Sequence, residues 1–173
     1  MKYMGLDVGD KTIGVALSDA LLITAQGIKT IMRTNIKKDT DEIINLIDEN
    51  EVKKIIIGLP KNLNGTDSIQ TEKVYNFKEK LENKLRSTGR SETELIFWDE
   101  RYSTVIAQNI LIEADVTRKK RKEVIDKMAA VVILQSYLDF SKNKPDSSIW
   151  ILGEEPYGKQ KKSTKWKAEG KRS

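Results

Sequence analysis

Asp7 closes an apolar run, Tyr3-Met4-Gly5-Leu6, at the point where a strand stops being buried, and a glycine-punctuated turn then leads into a second run, Thr12–Ser18. A core-facing strand carries apolar or β-branched residues, so an acid there serves either turn chemistry or a metal ion. Further carboxylates follow at comparable places. Asp99 and Glu100 end the run Leu95-Ile96-Phe97-Trp98, and Asp126 stands in line with Ala129, Ala130, Ile133 and Tyr137 on an otherwise apolar helix. A carboxylate on that face is costly unless paired or metal-bound. The chain has no histidine and no cysteine, which excludes disulfides, thiolate nucleophiles, most zinc sites and any histidine-dependent triad. Chemistry must come from carboxylates, Lys, Arg, hydroxyls or a cofactor.

The elements that would position these acids read as follows. Tyr3–Asp7, Thr12–Ser18 and Gly27–Arg33 form an antiparallel meander. A helix runs from Asp39 to Glu49, with Asp39 and Glu42 as a capping pair and Ile43, Ile44 and Ile47 as its apolar face. Lys53–Leu59 is a buried strand stopped by Pro60, and Val74, Phe77, Leu81 and Leu85 follow at helical spacing. After the strand Leu95–Trp98, a helix capped by Ser103 or Thr104 extends to about Ala114. A last, buried helix runs from about Lys122 to Phe140 with Asp126 one turn in, and Ile149–Leu152 forms a terminal strand. The order predicts an α/β fold whose mixed five-stranded sheet is antiparallel first, then parallel with crossover helices. Ligands of such sheets gather at the carboxyl ends of the parallel strands.

Size and charge bound the rest. A chain of 173 residues with 38% hydrophobic and 33% charged residues fits one soluble domain. It shows neither a membrane span nor a signal-peptide core, and the lack of cysteine fits a cytoplasmic setting. The net charge of +5 is unevenly spread. Residues 159–173 hold seven cations and one anion, leaving 24 cations and 25 anions in residues 1–158. We therefore expect a domain over residues 1–152 and a basic, disordered tail over 153–173, which either attracts polyanions or only solubilises.

Four segments resemble, in order, the motifs of the YqgF family, also called RuvX, within the ribonuclease H-like superfamily. They are Gly5-Leu6-Asp7-Val8-Gly9 with Thr12-Ile13-Gly14-Val15-Ala16; Gly58-Leu59-Pro60-Lys61-Asn62-Leu63-Asn64-Gly65; Asp99-Glu100-Arg101-Tyr102-Ser103-Thr104; and Asp126-Lys127-Met128-Ala129-Ala130. Tyr102-Ser103 stands where the family often has Leu-Thr, and the serine still suits a helix cap. The resemblance implies a ribonuclease H-like fold and a cytoplasmic nuclease that matures the 5′ end of precursor 16S ribosomal RNA. It also implies that Asp7, Glu100 and Asp126 form the acidic site, as catalytic residues and metal ligands.

Carboxylates suit that chemistry. Phosphodiester cleavage needs an activated water, in-line approach and neutralised transition-state charge, which two divalent ions about 4 Å apart supply. Mg²⁺, or Mn²⁺ in its place, prefers hard oxygen donors. Asp10 and Asp99 are spare acids that could assist. Candidate nucleic-acid contacts are Lys11 and Thr12 at the hairpin tip; Lys61, Asn62 and Asn64 after the fourth strand; Arg101; and Arg118, Lys119 and Arg121 in a basic cluster preceding the last helix. Each has a plainer alternative. Asp7 could be a turn acid, Glu100 a surface acid with Asp99 functional, Asp126 a partner to an Arg or Lys across the core, Lys11 and Thr12 solvent-exposed turn residues, Lys61-Asn62-Leu63-Asn64-Gly65 a simple Asn-Gly turn, Arg101 a partner to Asp99, and the Arg118–Lys122 cluster a solvated face.

Three function classes fit these features: a Mg²⁺-dependent nuclease, with a RuvC-like Holliday junction resolvase acting on DNA as its close rival; a nucleotide-handling ATPase, which would need a second such domain and lacks a Gly-x-x-x-x-Gly-Lys-[Ser/Thr] loop; and a non-catalytic RNA- or ribosome-binding factor. The expected partner is structured RNA, with the protein a monomer or weak homodimer and no membrane partner.

Overall fold

The computed structural model describes residues 1–62, 67–100 and 118–142, with the side chains of residues 118–126 outside that description. Among the described residues there are five strands and three helices: β1 (Lys2–Val8), β2 (Thr12–Ser18), β3 (Ala25–Met32), α1 (Ile36–Asn50), β4 (Val52–Leu59), α2 (Ile69–Ser87), β5 (Glu94–Asp99) and α3 (Arg118–Lys142). The strand order is β3-β2-β1-β4-β5. β1 pairs antiparallel with β2 and parallel with β4, β2 pairs antiparallel with β3, and β5 runs parallel to β4. This is the mixed sheet the sequence predicts. The helix expected before Ala114 and the strand expected at Ile149–Leu152 lie outside the described residues.

The sheet separates two layers because side chains alternate along each strand. Met4, Leu6 and Val8 of β1, with Ile55, Ile57 and Leu59 of β4, pack with Ile43, Ile44 and Ile47 of α1 and Val74, Phe77, Leu81 and Leu85 of α2. On the other face Ile56 of β4 meets Ala130, Ile133, Leu134 and Tyr137 of α3. Trp98 packs edge-on to Tyr137 at 5.5 Å and donates to Ser136 Oγ at 2.6 Å. Among the described residues no helix is long and apolar enough to cross a membrane.

Two helix starts differ from expectation. α1 begins one turn early, capped by Asn35, whose side chain accepts from Lys38 N–H. Asp39, the expected cap, is buried; it accepts from Arg33 Nε at 3.1 Å and from Thr34 N–H at 3.2 Å. A cation six residues upstream thus claims the acid that helical spacing assigns to the cap. Among the described residues α3 spans Arg118–Lys142, so the basic cluster lies within the helix instead of preceding it, and Asp126 lies at least two turns in rather than one. α2 does carry a capping box, between Ser68 and Thr71, and the Thr71 hydroxyl also donates to Pro60 O, tying the helix start to the end of β4.

Candidate active site

The alternation that builds the core also places the acids. With Met4, Leu6 and Val8 facing α1 and α2, the intervening Tyr3, Gly5 and Asp7 take the α3 face. Tyr3 meets Tyr137 at 6.3 Å between ring centroids. At Gly5, a Cβ would lie 2.7 Å from both Ala130 O and Leu134 Cβ, so the absent side chain lets α3 rest on the strand. The pairing of Tyr3 with Tyr137 and of Gly5 with Ala130 and Leu134 shows α3 running antiparallel to β1. Two residues along a strand advance about 6.7 Å, close to the rise of one helical turn and a fraction. Asp7 is therefore level with the turn before Ala130, where the backbone of Asp126 lies.

The same rule separates Asp99 from Glu100. Ile96 and Trp98 of β5 pack toward α3, whereas Phe97 meets Tyr75 of α2 at 5.2 Å. The alternation gives Asp99 to the α2 side, while Glu100, just past the strand, turns its carboxylate toward Gly58 and Ile133 on the α3 side, the face that holds Asp7. Gly58 of β4 makes room between them: a Cβ there would lie 2.8 Å from Glu100 Oε1 and 2.4 Å from Ile133 Cδ1. Burial, then the charges of Asp7 and Asp99, push the Glu100 carboxyl up to about 7. Negative charge is thus crowded at the carboxyl ends of β1 and β5. Such a set of hard oxygen donors, with no nitrogen or sulfur ligand in the chain, fits a divalent cation of the Mg²⁺ type. Asp7 and Glu100 are the described donors, and no group of three metal-ligating side chains occurs among the described residues.

The hairpin carrying Asp7 is braced from the α1/α2 side by residues the sequence reading passed over. Arg33 donates to Gly9 O at 2.8 Å, pairs with buried Asp39 and lies 5.5 Å from the Phe77 ring centroid. Gln70 donates to Val8 O at 3.2 Å. Nothing local marks Arg33, which is 24 residues from Gly9; only the charge following a strand hinted at a partner. Asp10, held as a spare acid, is exposed and pairs with Lys73 at 2.8 Å, which lowers its pKa.

The candidate nucleic-acid contacts divide. Lys11 is exposed at the hairpin tip, while Thr12 is buried, its carbonyl accepting from Gly9 N–H. Lys61 is largely buried and pairs with Asp67 at 3.5 Å, and Asn62 donates to Asp67 O at 3.4 Å. Both close the base of the loop after β4. Arg118, Lys119 and Arg121 lie on the first described turns of α3. Asn64 and Arg101, like the side chains of Arg118, Lys119, Arg121 and Asp126, lie outside the description.

The sheet, with α1 and α2 on one face and α3 on the other, is the ribonuclease H-like architecture of RuvC-type nucleases. It superposes on Thermus thermophilus RuvC in complex with Holliday junction substrate with a TM-score of 0.56 at 8% identity, covering 82% of this chain and 95% of that one. The yeast mitochondrial Holliday junction resolvase Ydc2 gives 0.52 at 10% identity, covering 81% and 78%. The profile of the RuvX family, described as Holliday junction resolvase, matches residues 1–140, and the chain belongs to that family. Relatives bearing the name "Putative pre-16S rRNA nuclease" include one from Clostridioides difficile, 56% identical over 142 residues, covering 82% of this chain and 96% of the relative. Another, from Clostridium tetani, is 53% identical over 144 residues, 83% of this chain and all of the relative.

Proposed function

We propose that this protein is a metal-dependent endonuclease that processes the 5′ end of precursor 16S ribosomal RNA in the cytoplasm. The observation that carries the reading is the convergence of Asp7 and Glu100, from two strand ends, on the sheet face that α3 covers. Family membership and the names of the relatives support the substrate. Asp7, Glu100 and Asp126 would hold the divalent ion, Mg²⁺ or Mn²⁺, which when bound supplies an activated water and offsets charge on the scissile phosphate. The protein contributes orientation. The hairpin fixes Asp7, Gly58 leaves space for the Glu100 carboxylate, and Arg33 and Gln70 hold the hairpin from behind. Burial and the neighbouring acids raise the Glu100 carboxyl to about 7, so a bound cation would favour its charged form.

In this reading Lys11, Arg101 and the α3 residues Arg118, Lys119 and Arg121 contact RNA phosphates, together with the loop containing Asn64. Thr12, Lys61 and Asn62 act by shaping the turns that present those contacts. The nuclease domain spans residues 1–152, the basic tail spans 153–173, and the protein works as a monomer or weak homodimer.

The likeness to junction-bound RuvC favours one rival, a DNA resolvase. Both are tested by incubating the purified protein and its Asp7→Asn variant with precursor 16S RNA, an unrelated RNA and a four-way DNA junction, with Mg²⁺, Mn²⁺ or EDTA. The proposal expects site-specific cleavage of the precursor by the wild type with metal alone. Cleavage surviving EDTA or Asp7→Asn contradicts the metal site, and cleavage of the junction alone assigns the protein to the resolvases. RNA binding without cleavage by the wild type assigns it to non-catalytic RNA-binding factors.

A further inference from the structure

The two flanks of α2 differ in charge. Val74, Phe77, Leu81 and Leu85 form its buried stripe, and helical spacing sorts the remaining residues to either side. The flank toward α1 carries Lys73, Asn76, Lys80, Lys84 and Ser87 and no acid. The flank toward β5 carries Glu72, Glu79 and Glu82, and there Lys78 and Arg86 both pair with Glu82.

Between the acid-free flank and the start of α1 lies a groove of about 350 Å³, lined by Ile36, Lys37 and Thr40 on one side and chiefly by Lys80, Asn83 and Lys84 on the other. Lys84 pairs with Asp41 of α1. Lys37 and Lys80 are exposed, and among the described residues neither joins an ion pair, whereas Lys29, Lys73 and Arg90 each hold an acid. Unpaired like charges lining one concavity repel each other and focus a positive potential, which an anion relieves. The lining also selects the anion. Phosphate oxygens are held by Lys and Asn side chains. A protein segment is anchored instead by large side chains buried in well-packed pockets, and Ile36 is the only apolar residue among those lining the groove.

The groove opens at the end of the sheet that carries Asp7. β3 points the same way as β1, since each is antiparallel to β2, so α1, entered from β3, starts at that end. Between them Arg33 N–H donates to Lys11 O at the hairpin tip, at 2.9 Å. α2 starts there as well, where Lys73 pairs with Asp10, and Lys80 lies about 10 Å farther along the helix.

We propose that the groove between α1 and α2 binds the phosphate backbone of the RNA outside the cleavage site, with Lys37 and Lys80 as its cations. The surface takes no part in the chemistry. It holds a flanking stretch of the structured RNA, which passes the hairpin tip at Lys11 on its way to Asp7 and Glu100. The choice of RNA as the partner rests on the nuclease reading; the groove and its charge do not.

The test is binding of a precursor 16S RNA fragment to the Asp7→Asn protein, where no cleavage intervenes, across a range of salt concentrations. Two double variants are compared in that background: Lys37→Gln with Lys80→Gln in the groove, and Lys78→Gln with Arg86→Gln on the opposite flank. Each removes two positive charges from the surface. The groove variant lowers the slope of log K against log salt by roughly one to two and weakens binding several-fold at low salt, while the opposite-flank variant keeps the parent slope. Unchanged slopes in both variants, or an equal fall in both, overturns the groove. Loss of polyglutamate binding by the groove variant without loss of RNA binding assigns the surface to an acidic protein segment and contradicts the proposal. No RNA binding by the parent overturns the groove and the RNA reading together. Cleavage by the Asp7 protein is read separately. A groove effect on binding with no cleavage keeps the surface and removes the nuclease; cleavage with slopes indifferent to Lys37 and Lys80 does the reverse.

Discussion

The two faces of β1 carry opposite assignments on one stretch of backbone. Toward α1 and α2 the strand presents Met4, Leu6 and Val8, each no more than 4% exposed, packed among isoleucines and leucines. Toward α3 it presents Tyr3, Gly5 and Asp7: a half-buried aromatic, a gap filled by the helix, and an acid. The first face gains stability from area removed from water. The second gives up part of that gain to bring a helix close and hold charge at the strand end. The comparison teaches that stability and chemistry are separated here by the period of the strand, so a step of one residue moves a substitution from one to the other.

Neighbouring substitutions should then fail in different ways. The largest effect is on rate: Asp7→Asn should lower cleavage by at least about 10³-fold, on the order of 4 kcal/mol in transition-state stabilisation, with an unchanged or raised unfolding midpoint. Leu6→Ala, one position away, should destabilise by about 3 kcal/mol in chemical denaturation while activity per folded molecule stays near wild type. If both lose activity and stability together, the two faces are not separable.

Gly58→Ala crosses the boundary. Its Cβ would displace the Glu100 carboxylate and the Ile133 terminus, so we expect a stability loss of about 1–3 kcal/mol together with a raised Mg²⁺ requirement. Wild-type Mg²⁺ dependence in this variant would show that Glu100 works without the space Gly58 provides.

A further effect is on pH dependence. The Glu100 carboxyl titrates higher folded than unfolded, so its contribution to stability is full below the ordinary glutamate range and is lost as pH rises toward about 7. Without metal, the wild type should lose on the order of 3 kcal/mol from this group between pH 4.5 and 7, and Glu100→Gln should remove that loss. The rise in Tm caused by Mg²⁺ should accordingly grow from pH 5 to pH 8. A Mg²⁺ effect independent of pH would place the cation away from Glu100.

The order of elements and the mixed character of the sheet were legible because apolar runs, turn glycines and helical spacing mark elements locally, and the acids were visible because they interrupt those patterns. Choices among neighbours were not. Asp99 and Glu100 are adjacent and chemically alike, and only the end of β5 between them, with the space at Gly58, divides them between faces. Asp39 has the spacing of a cap yet is claimed by Arg33, and Arg33 reaches Gly9 through tertiary structure alone. Lys61, a candidate phosphate contact, instead pairs with Asp67 across the base of the loop after β4. Spacing reports the face of an element; which polar partner a side chain finds depends on what the fold brings alongside.

The central claim, that Asp7 and Glu100 share one electrostatic site, is tested most directly by NMR titration of the Glu100 carboxyl carbon in wild type and Asp7→Asn, with and without Mg²⁺. The account predicts a midpoint near 7 in the metal-free wild type, a lower one in Asp7→Asn, and one driven down by Mg²⁺ in the wild type. A Glu100 midpoint in the ordinary glutamate range, the same in both proteins and indifferent to Mg²⁺, would contradict it.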